Sequence, residues 1–372
     1  MVKITVMLII CVTLAYFSEK QTNAIRREGY HYSVWSDPAY LALAVVLVLF
    51  AGLRTNYNDT WNYMHSFKIN EGLDAFFSEA ENLNIFKNPL FGFCNSLLRE
   101  FTDDAQILVF LFSLFTQVCF LHFFKLYSHS FTFSIFLYFT LGTFSVTLAA
   151  MKQVAAMAIL TLAFPFLERK QWTRYFIIVF IAMLMHTYAL AFAVLPFFNR
   201  RPWKAFTFMF VFATVLIMMN FEQTITAFMD QAEEVGKFLN EAEVFDSHTV
   251  NLLRVAVYAV TPAISYLFQK WVFRNSSSAD HIVVHMSIIS FAFMVMGTQS
   301  GANMFGRMAH YFELGMICCL PWMLKQTFNE RSCRLTSGIT AVCFLGFFVY
   351  ANAINMSFDS AYEAIGLLEF LG

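Results

Sequence analysis

The stretch that decides the fold is Ile107-Leu108-Val109-Phe110-Leu111-Phe112-Ser113-Leu114-Phe115-Thr116-Gln117-Val118-Cys119-Phe120-Leu121. It has no charged residue, and Ser113, Thr116 and Gln117 are its only polar positions. Extended to 105–124, it is long enough as a helix to cross a hydrocarbon core of about 30 Å at about 1.5 Å per residue. Comparable apolar runs lie at 2–17, 38–53, 130–148, 152–167, 204–220, 250–270, 282–298, 308–325 and 335–352, with an eleventh stretch at 175–198. The pattern predicts an all-α polytopic membrane protein with about ten or eleven transmembrane helices. Residues 1–372 then form a single integral membrane domain. No small-residue cleavage site follows Tyr16-Phe17, so 2–17 reads as a retained span rather than a signal peptide.

Composition agrees. Hydrophobic residues make up 59% of the chain and charged residues 13%, whereas soluble domains carry about 25% charged residues. A net charge of -1 argues against a nucleic-acid partner. The seven Cys residues form no C-x-x-C pair and sit mostly in apolar runs, so they read as free thiols with no metal site or disulfide frame. The chain contains no Walker A loop, dinucleotide fingerprint, H-E-x-x-H or G-x-S-x-G, which argues against an ATP-driven pump and the common hydrolases and implies no cofactor.

Lys and Arg in short loops set orientation. Basic clusters at Lys20/Arg26/Arg27, Arg169/Lys170/Arg174, Arg200/Arg201/Lys204, Lys270/Arg274 and Lys325/Arg331/Arg334 place those loops in the cytoplasm. The long acidic loops 54–104 and 221–249 then lie outside, together with both chain ends. Within 54–104, apolar residues at three- and four-residue spacing in 72–77 and 91–98 predict short helices. One conflict remains. The basic loops on either side of 175–198 both read as cytoplasmic, yet the segment is too short for two crossings. Either it is a re-entrant hairpin turning near Met185-His186-Thr187, or it spans once and one loop breaks the charge rule.

Ionisable groups near membrane spans are costly and therefore functional candidates. Arg54, Lys152, Arg254 and Arg307 all fall near the outer surface in this topology. Such cations suit an anion at head-group depth, and Arg presents a planar fork to phosphate oxygens. Equally, each could be an interfacial anchor that snorkels to the head groups. His310 and Glu313 follow Arg307 at three-residue spacing, on one helix face; for Glu313 an ion pair with Arg307 or His310 is the expected role. His186 offers a general base near neutral pH, or a helix-packing histidine. Asp59 offers a base, or an N-cap for the turn Thr60-Trp61-Asn62-Tyr63. Tyr57, Trp61 and Tyr63 add aromatic rings beside the second span, as is common at any membrane interface.

Five segments carry a resemblance. They are Phe50-Ala51-Gly52-Leu53-Arg54 with Asp59-Thr60-Trp61-Asn62-Tyr63; Asn88-Pro89-Leu90-Phe91; Lys152-Gln153-Val154-Ala155; Ala182-Met183-Leu184-Met185-His186-Thr187-Tyr188-Ala189; and Asn303-Met304-Phe305-Gly306-Arg307-Met308-Ala309-His310-Tyr311-Phe312. In this order they resemble the EpsG family of bacterial exopolysaccharide proteins, a branch of the Wzy-like polymerases. The chain departs from that pattern at Asn58, where the family usually has Gly, at Lys152 in place of Arg, and at Asn88 in place of an acidic residue. The resemblance implies a Wzy-like architecture that polymerises polyprenyl-diphosphate-linked oligosaccharide repeats at the outer face of the plasma membrane. The product would be exopolysaccharide, capsule or O-antigen, and the partners a chain-length regulator and other polysaccharide-assembly proteins. Arg54, Lys152, Arg254, Arg307 and His310 would hold the diphosphate, Tyr57, Trp61 and Tyr63 would stack on sugar faces, and Asp59 and His186 are the catalytic candidates. A flippase for the same lipid-linked glycan is an alternative, but it predicts mid-bilayer charge and two similar halves, neither evident here. A membrane sugar acyltransferase using His186, or a non-catalytic scaffold of a synthesis complex, are further alternatives.

Overall fold

The computed structural model describes residues 1–27, 33–220, 249–299, 303–355 and 357–371. Most of the expected outer loop 221–249 therefore lies outside the described residues. The chain is an all-α polytopic membrane protein. It groups into two compact units: Met1–Pro165, Thr173–Leu190 and Arg334–Gly372 form the first, Phe166–Trp172 and Ala191–Cys333 the second.

In the first unit, α1 (Val2–Arg27), α2 (Pro38–Gly52), α6 (Ala105–Tyr127) and α7 (Phe131–Thr140) pack together. Short helices α3 (Thr60–Lys68), α4 (Leu73–Ser78) and α5 (Pro89–Arg99) fill the loop between α2 and α6, where the sequence spacing placed two of them. After α7 come α8 (Thr143–Ala149), α9 (Met151–Glu168) and α10 (Trp172–Met185). A 3-10 helix follows at Thr187–Phe198. The second unit is built on α11 (Ala205–Met219), α12 (Leu252–Leu267), α13 (Ser278–Met296) and α14 (Asn303–Thr327). The chain then returns to the first unit through α15 (Glu330–Val349).

These helices start on ordinary caps. The Asp37 side chain accepts from Tyr40 N–H at 3.0 Å at the head of α2, with Pro38 at the first position. Asp104 accepts from Gln106 N–H at 2.8 Å before α6. Ser277 and Asp280 form a reciprocal capping box before α13.

Among the described residues, five helical stretches are long and apolar enough to cross a membrane: Val2–Ile25, α6, α9, α13 and Glu330–Asn355. α7 and α8 add a sixth if taken together, but they are bent by 57°. The sequence suggested one uninterrupted span there. The break falls at Gly142, whose φ of 88° is a left-handed conformation that glycine adopts without penalty. Around the break, Tyr138 Oη donates to Gln117 Oε1 at 2.8 Å and Gln117 Nε2 donates to Thr147 Oγ1 at 3.0 Å, which ties both pieces to α6. Of the other apolar runs, those at 38–53, 175–198, 204–220 and 250–270 make the shorter helices α2, α10 with the 3-10 helix, α11 and α12, whereas 308–325 lies in the 25-residue α14, which is long enough but less apolar. The 15 residues of α2 rise only about 22 Å. Hydropathy marked all these segments, but among the described residues length and apolarity together qualify five, or six with the bent pair, for a full crossing.

The segment 175–198 also breaks where the sequence conflict pointed. The α-helix stops at Met185, and 3-10 geometry begins at Thr187. The contour from Trp172 to Phe198 is about 45 Å, more than one bilayer crossing and less than two.

Both ends of the first unit hold buried polar groups. At one end Lys125 Nζ lies 3.6 Å from Asp37 Oδ2 and donates to Ser18 Oγ at 2.5 Å, while Ser18 Oγ donates to Asp37 Oδ2 at 2.6 Å. Asp37 and Lys125 are buried, so each satisfies the other's charge. At the opposite end the C-terminal tail folds back. Its strand β2 (Glu363–Ala364) pairs antiparallel with β1 (Arg54–Asn56). Asp359 accepts from the N–H groups of Val2 and Lys3, and Lys3 Nζ donates to Tyr362 O at 2.8 Å. The head of α1, the tail and Arg54 thus share one end of this unit.

In the second unit, α13 and α14 approach closely at Gly315. A Cβ there would meet Met286 Cβ and come within 2.5 Å of the Val283 carbonyl oxygen. Small residues permit such backbone contact between membrane helices. Gly315→Val is therefore expected to destabilise the unit by roughly 1–3 kcal/mol or more through overpacking. Thermal unfolding of detergent-solubilised protein reads this as a lowered transition, and an unchanged transition would rule out the close approach.

Candidate functional site

Four of the five family-like segments lie in the first unit, and the site grows from the end of α2. The last carbonyls of a helix have no partner within it. Here all four find one. Phe50 O accepts from Tyr362 Oη at 2.6 Å, Ala51 O from Arg54 Nη1, Gly52 O from Gln106 Nε2 at 2.6 Å, and Leu53 O from Ile365 N–H at 3.0 Å. Arg54 is 1% exposed. Besides Ala51, it donates from Nη1 to Ser113 Oγ at 2.8 Å and from Nε to Thr60 Oγ1 at 3.1 Å. Nη2 donates to none of the described residues. Gln106 Nε2 also holds Arg54 O at 3.0 Å. Burial lowers the Arg54 pKa to about 10, which leaves it charged near neutral pH. That charge also complements the negative end of the α2 dipole. Arg54 is therefore a buried strut rather than a snorkelling anchor. Gln106, Ser113 and Thr60, which position it, were not singled out by sequence reasoning. Only their polarity within or beside apolar runs could have marked them.

From Arg54 the chain turns through Asn58, whose φ is 50°. This explains the family's usual Gly: the position needs a left-handed backbone, which Asn tolerates better than most residues. Asp59 then takes the N-cap position of α3 but makes no side-chain cap bond. Its carboxylate has no hydrogen bond or ion pair among the described residues, so the capping alternative does not account for it.

The aromatic candidates separate by burial. Tyr57 is 0% exposed and packs against Phe358 with ring centroids 5.0 Å apart, so it offers no ring face to a sugar. Trp61 is 61% exposed and stacks on His65 at 4.9 Å. Tyr63 meets the edge of Phe91 at 5.7 Å, and Lys152 Nζ lies 5.8 Å from the centre of the same Phe91 ring. Lys152 makes no ion pair among the described residues. Thr60 closes the loop from the other side, with Oγ1 3.4 Å from the Leu148 carbonyl just ahead of α9.

The remaining two segments of this unit meet at Asn88. Asn88 has φ 56° at the head of α5, and its Oδ1 accepts from Thr187 N–H at 3.0 Å and lies 3.3 Å from Thr187 Oγ1. Thr187 Oγ1 also donates to Phe86 O at 3.0 Å. An amide thus fixes the residue directly after His186. The His186 ring is half-buried and lies edge to face with Tyr188 at 5.0 Å.

The fifth segment belongs to the second unit. On α14, His310 Nδ1 and Glu313 Oε2 are 2.5 Å apart, and Glu313 is fully buried. This is the pairing expected for Glu313. Tyr258 of α12 is fully buried within electrostatic range of Glu313 and of Arg254. Arg254 is half-buried and Arg307 exposed.

Among the described residues, no group of three or more His, Cys, Asp or Glu side chains is placed to hold a metal ion. The fold and these sites define a multi-pass membrane protein with charged and aromatic groups gathered at one end of its first unit. The chain belongs to the EpsG family, whose profile matches residues 39–364. It is accordingly a polysaccharide-related membrane protein. No curated protein and no solved structure matches it.

Proposed function

We propose that this protein polymerises polyprenyl-diphosphate-linked oligosaccharide repeats at the outer face of a bacterial plasma membrane. The observation that carries the reading is the meeting of four family segments in the first unit. Asp59 and Arg54 sit on the same loop, Tyr63 and Lys152 meet on Phe91, and Asn88 binds the residue after His186. In the proposed step, a sugar hydroxyl of one lipid-linked unit attacks the anomeric carbon of another. The bond from that carbon to the diphosphate oxygen breaks, and the hydroxyl proton passes to Asp59 or His186. Lys152, and Nη2 of Arg54, would offset the charge developing on the diphosphate. Arg254, Arg307 and His310 remain phosphate candidates of the second unit. Trp61 supplies the exposed ring for a sugar face.

Deleting the gene and resolving lipid-linked glycans by size tests this. A polymerase mutant accumulates single repeat units on the outer leaflet and loses long chains. Retention of long chains would refute the proposal, and repeat units trapped on the inner leaflet would indicate a flippase.

A further inference from the structure

The loop between α2 and α6 forms an open polar pocket of about 350 Å³. Its lining includes Asn70, Glu71, Phe76, Glu79, Asn82 and Ser96. We propose that it is a carbohydrate subsite for an uncharged or amino sugar of the glycan; this rests on the polymerase reading above.

Size, chemistry and position support the assignment. The volume is at the small end of the range for ligand sites, about 300–1,000 Å³, with room for roughly one or two pyranose rings. The wall combines planar polar groups with one aromatic ring, the side of Phe76, which is 7% exposed. Several of the polar groups are held in place by the protein. Asn70 Nδ2 donates to Ser96 Oγ at 3.1 Å, and Asn70 Oδ1 accepts from Gly72 N–H at 2.8 Å. Asn82 Nδ2 donates to Glu79 Oε2 at 3.0 Å. Two capacities are left over. Ser96 is 1% exposed, and its hydroxyl accepts from Asn70 without donating to any described residue. The Glu71 carboxylate has neither a hydrogen bond nor an ion pair among the described residues. A buried hydroxyl with a spare donor and an unused acceptor suit sugar hydroxyls, which both donate and accept. Glu71 and Glu79 disfavour phosphates and uronates by like-charge repulsion.

Position links the cavity to the reaction. α3 begins directly after Asp59 and ends directly before the cavity wall at Ile69 and Asn70. Its nine residues rise about 14 Å, so a glycan of a few sugars anchored near Asp59 could extend along it to the cavity.

The test uses the full chain in detergent and saturation-transfer NMR with glucose, galactose, N-acetylglucosamine, glucosamine and glucuronate as probes. Binding of at least one uncharged or amino sugar, with little or none of glucuronate, is expected. Glu71→Ala should weaken that binding about tenfold, since it removes a charge-assisted acceptor. Glu71 makes no bond to any described residue, so this variant should fold normally, and Glu71→Lys should weaken binding of glucosamine further. No sugar signal, preference for glucuronate, or equal binding by Glu71→Ala would overturn the subsite. In cells, Glu71→Ala should shorten polymer while leaving some chain extension. Wild-type polymer length in that variant would overturn the subsite yet leave the polymerase reading standing. Long chains in the gene deletion would instead remove the polymerase reading.

Discussion

Arg54→Ala is expected to abolish chain extension and to lower the amount of folded protein, whereas Arg54→Lys should restore the fold and only part of the polymer length. The two effects have different origins. In the wild type the guanidinium serves Ala51 O, Ser113 and Thr60 from inside the bundle. Alanine leaves buried partners without a donor, at roughly 1–3 kcal/mol for each orphaned group, and opens a cavity beside them. Protein in the membrane fraction must therefore be measured alongside polymer. Lysine keeps a positive charge at the end of the α2 dipole but has no planar fork, so it cannot serve Ala51 and Ser113 while presenting a second nitrogen to a phosphate. Reduced chain length in Arg54→Lys at normal protein levels would support a phosphate contact through Nη2. Wild-type chain length in that variant would confine Arg54 to capping α2.

The fold was legible where hydropathy is the dominant signal. Runs such as 105–124 and 282–298 became α6 and α13 with small boundary shifts. It was less legible where backbone geometry intervenes. Gly142 lies in an apolar run, so hydropathy could not register the bend, which depends on a positive φ. The buried Asp37 and Lys125 were missed for a similar reason. Each flanks a span and looks like a loop charge, and only their packing shows that they pair. The site divides along the same line. Asp59, Lys152 and His186 were visible as ionisable groups near apolar segments. The bond from Thr187 to Asn88 joins residues far apart in the chain and leaves no local pattern. Tyr57 shows the reverse failure: an aromatic residue beside a span suggests an interface, but this one packs into the core against the returning tail.

The second large effect is expected from Asp59→Asn, with His186→Gln as its counterpart. Both substitutions keep a polar group of similar reach while removing the ability to take up a proton near neutral pH, and Asn also keeps the shape of Asp. General-base catalysis contributes about 10²–10⁴-fold, and a loss in that range should appear as accumulation of unpolymerised repeat units. Asp59 is the better placed of the two. Its carboxylate is unengaged by described residues, it follows the strand that carries Arg54, and its side chain does not cap α3, so Asn should leave the fold intact. His186 sits at the junction between α10 and the 3-10 helix, beside Tyr188 and next to the residue tied by Asn88. A ring held there suits orientation as well as proton transfer. Asp59→Asn should therefore lose polymerisation at normal protein levels. If His186→Gln loses it equally, both residues handle the proton. If His186→Gln retains most activity, His186 positions the segment and Asp59 acts as the base. Normal chain lengths in Asp59→Asn would remove Asp59 from the chemistry, and a loss confined to His186→Gln would make His186 the base.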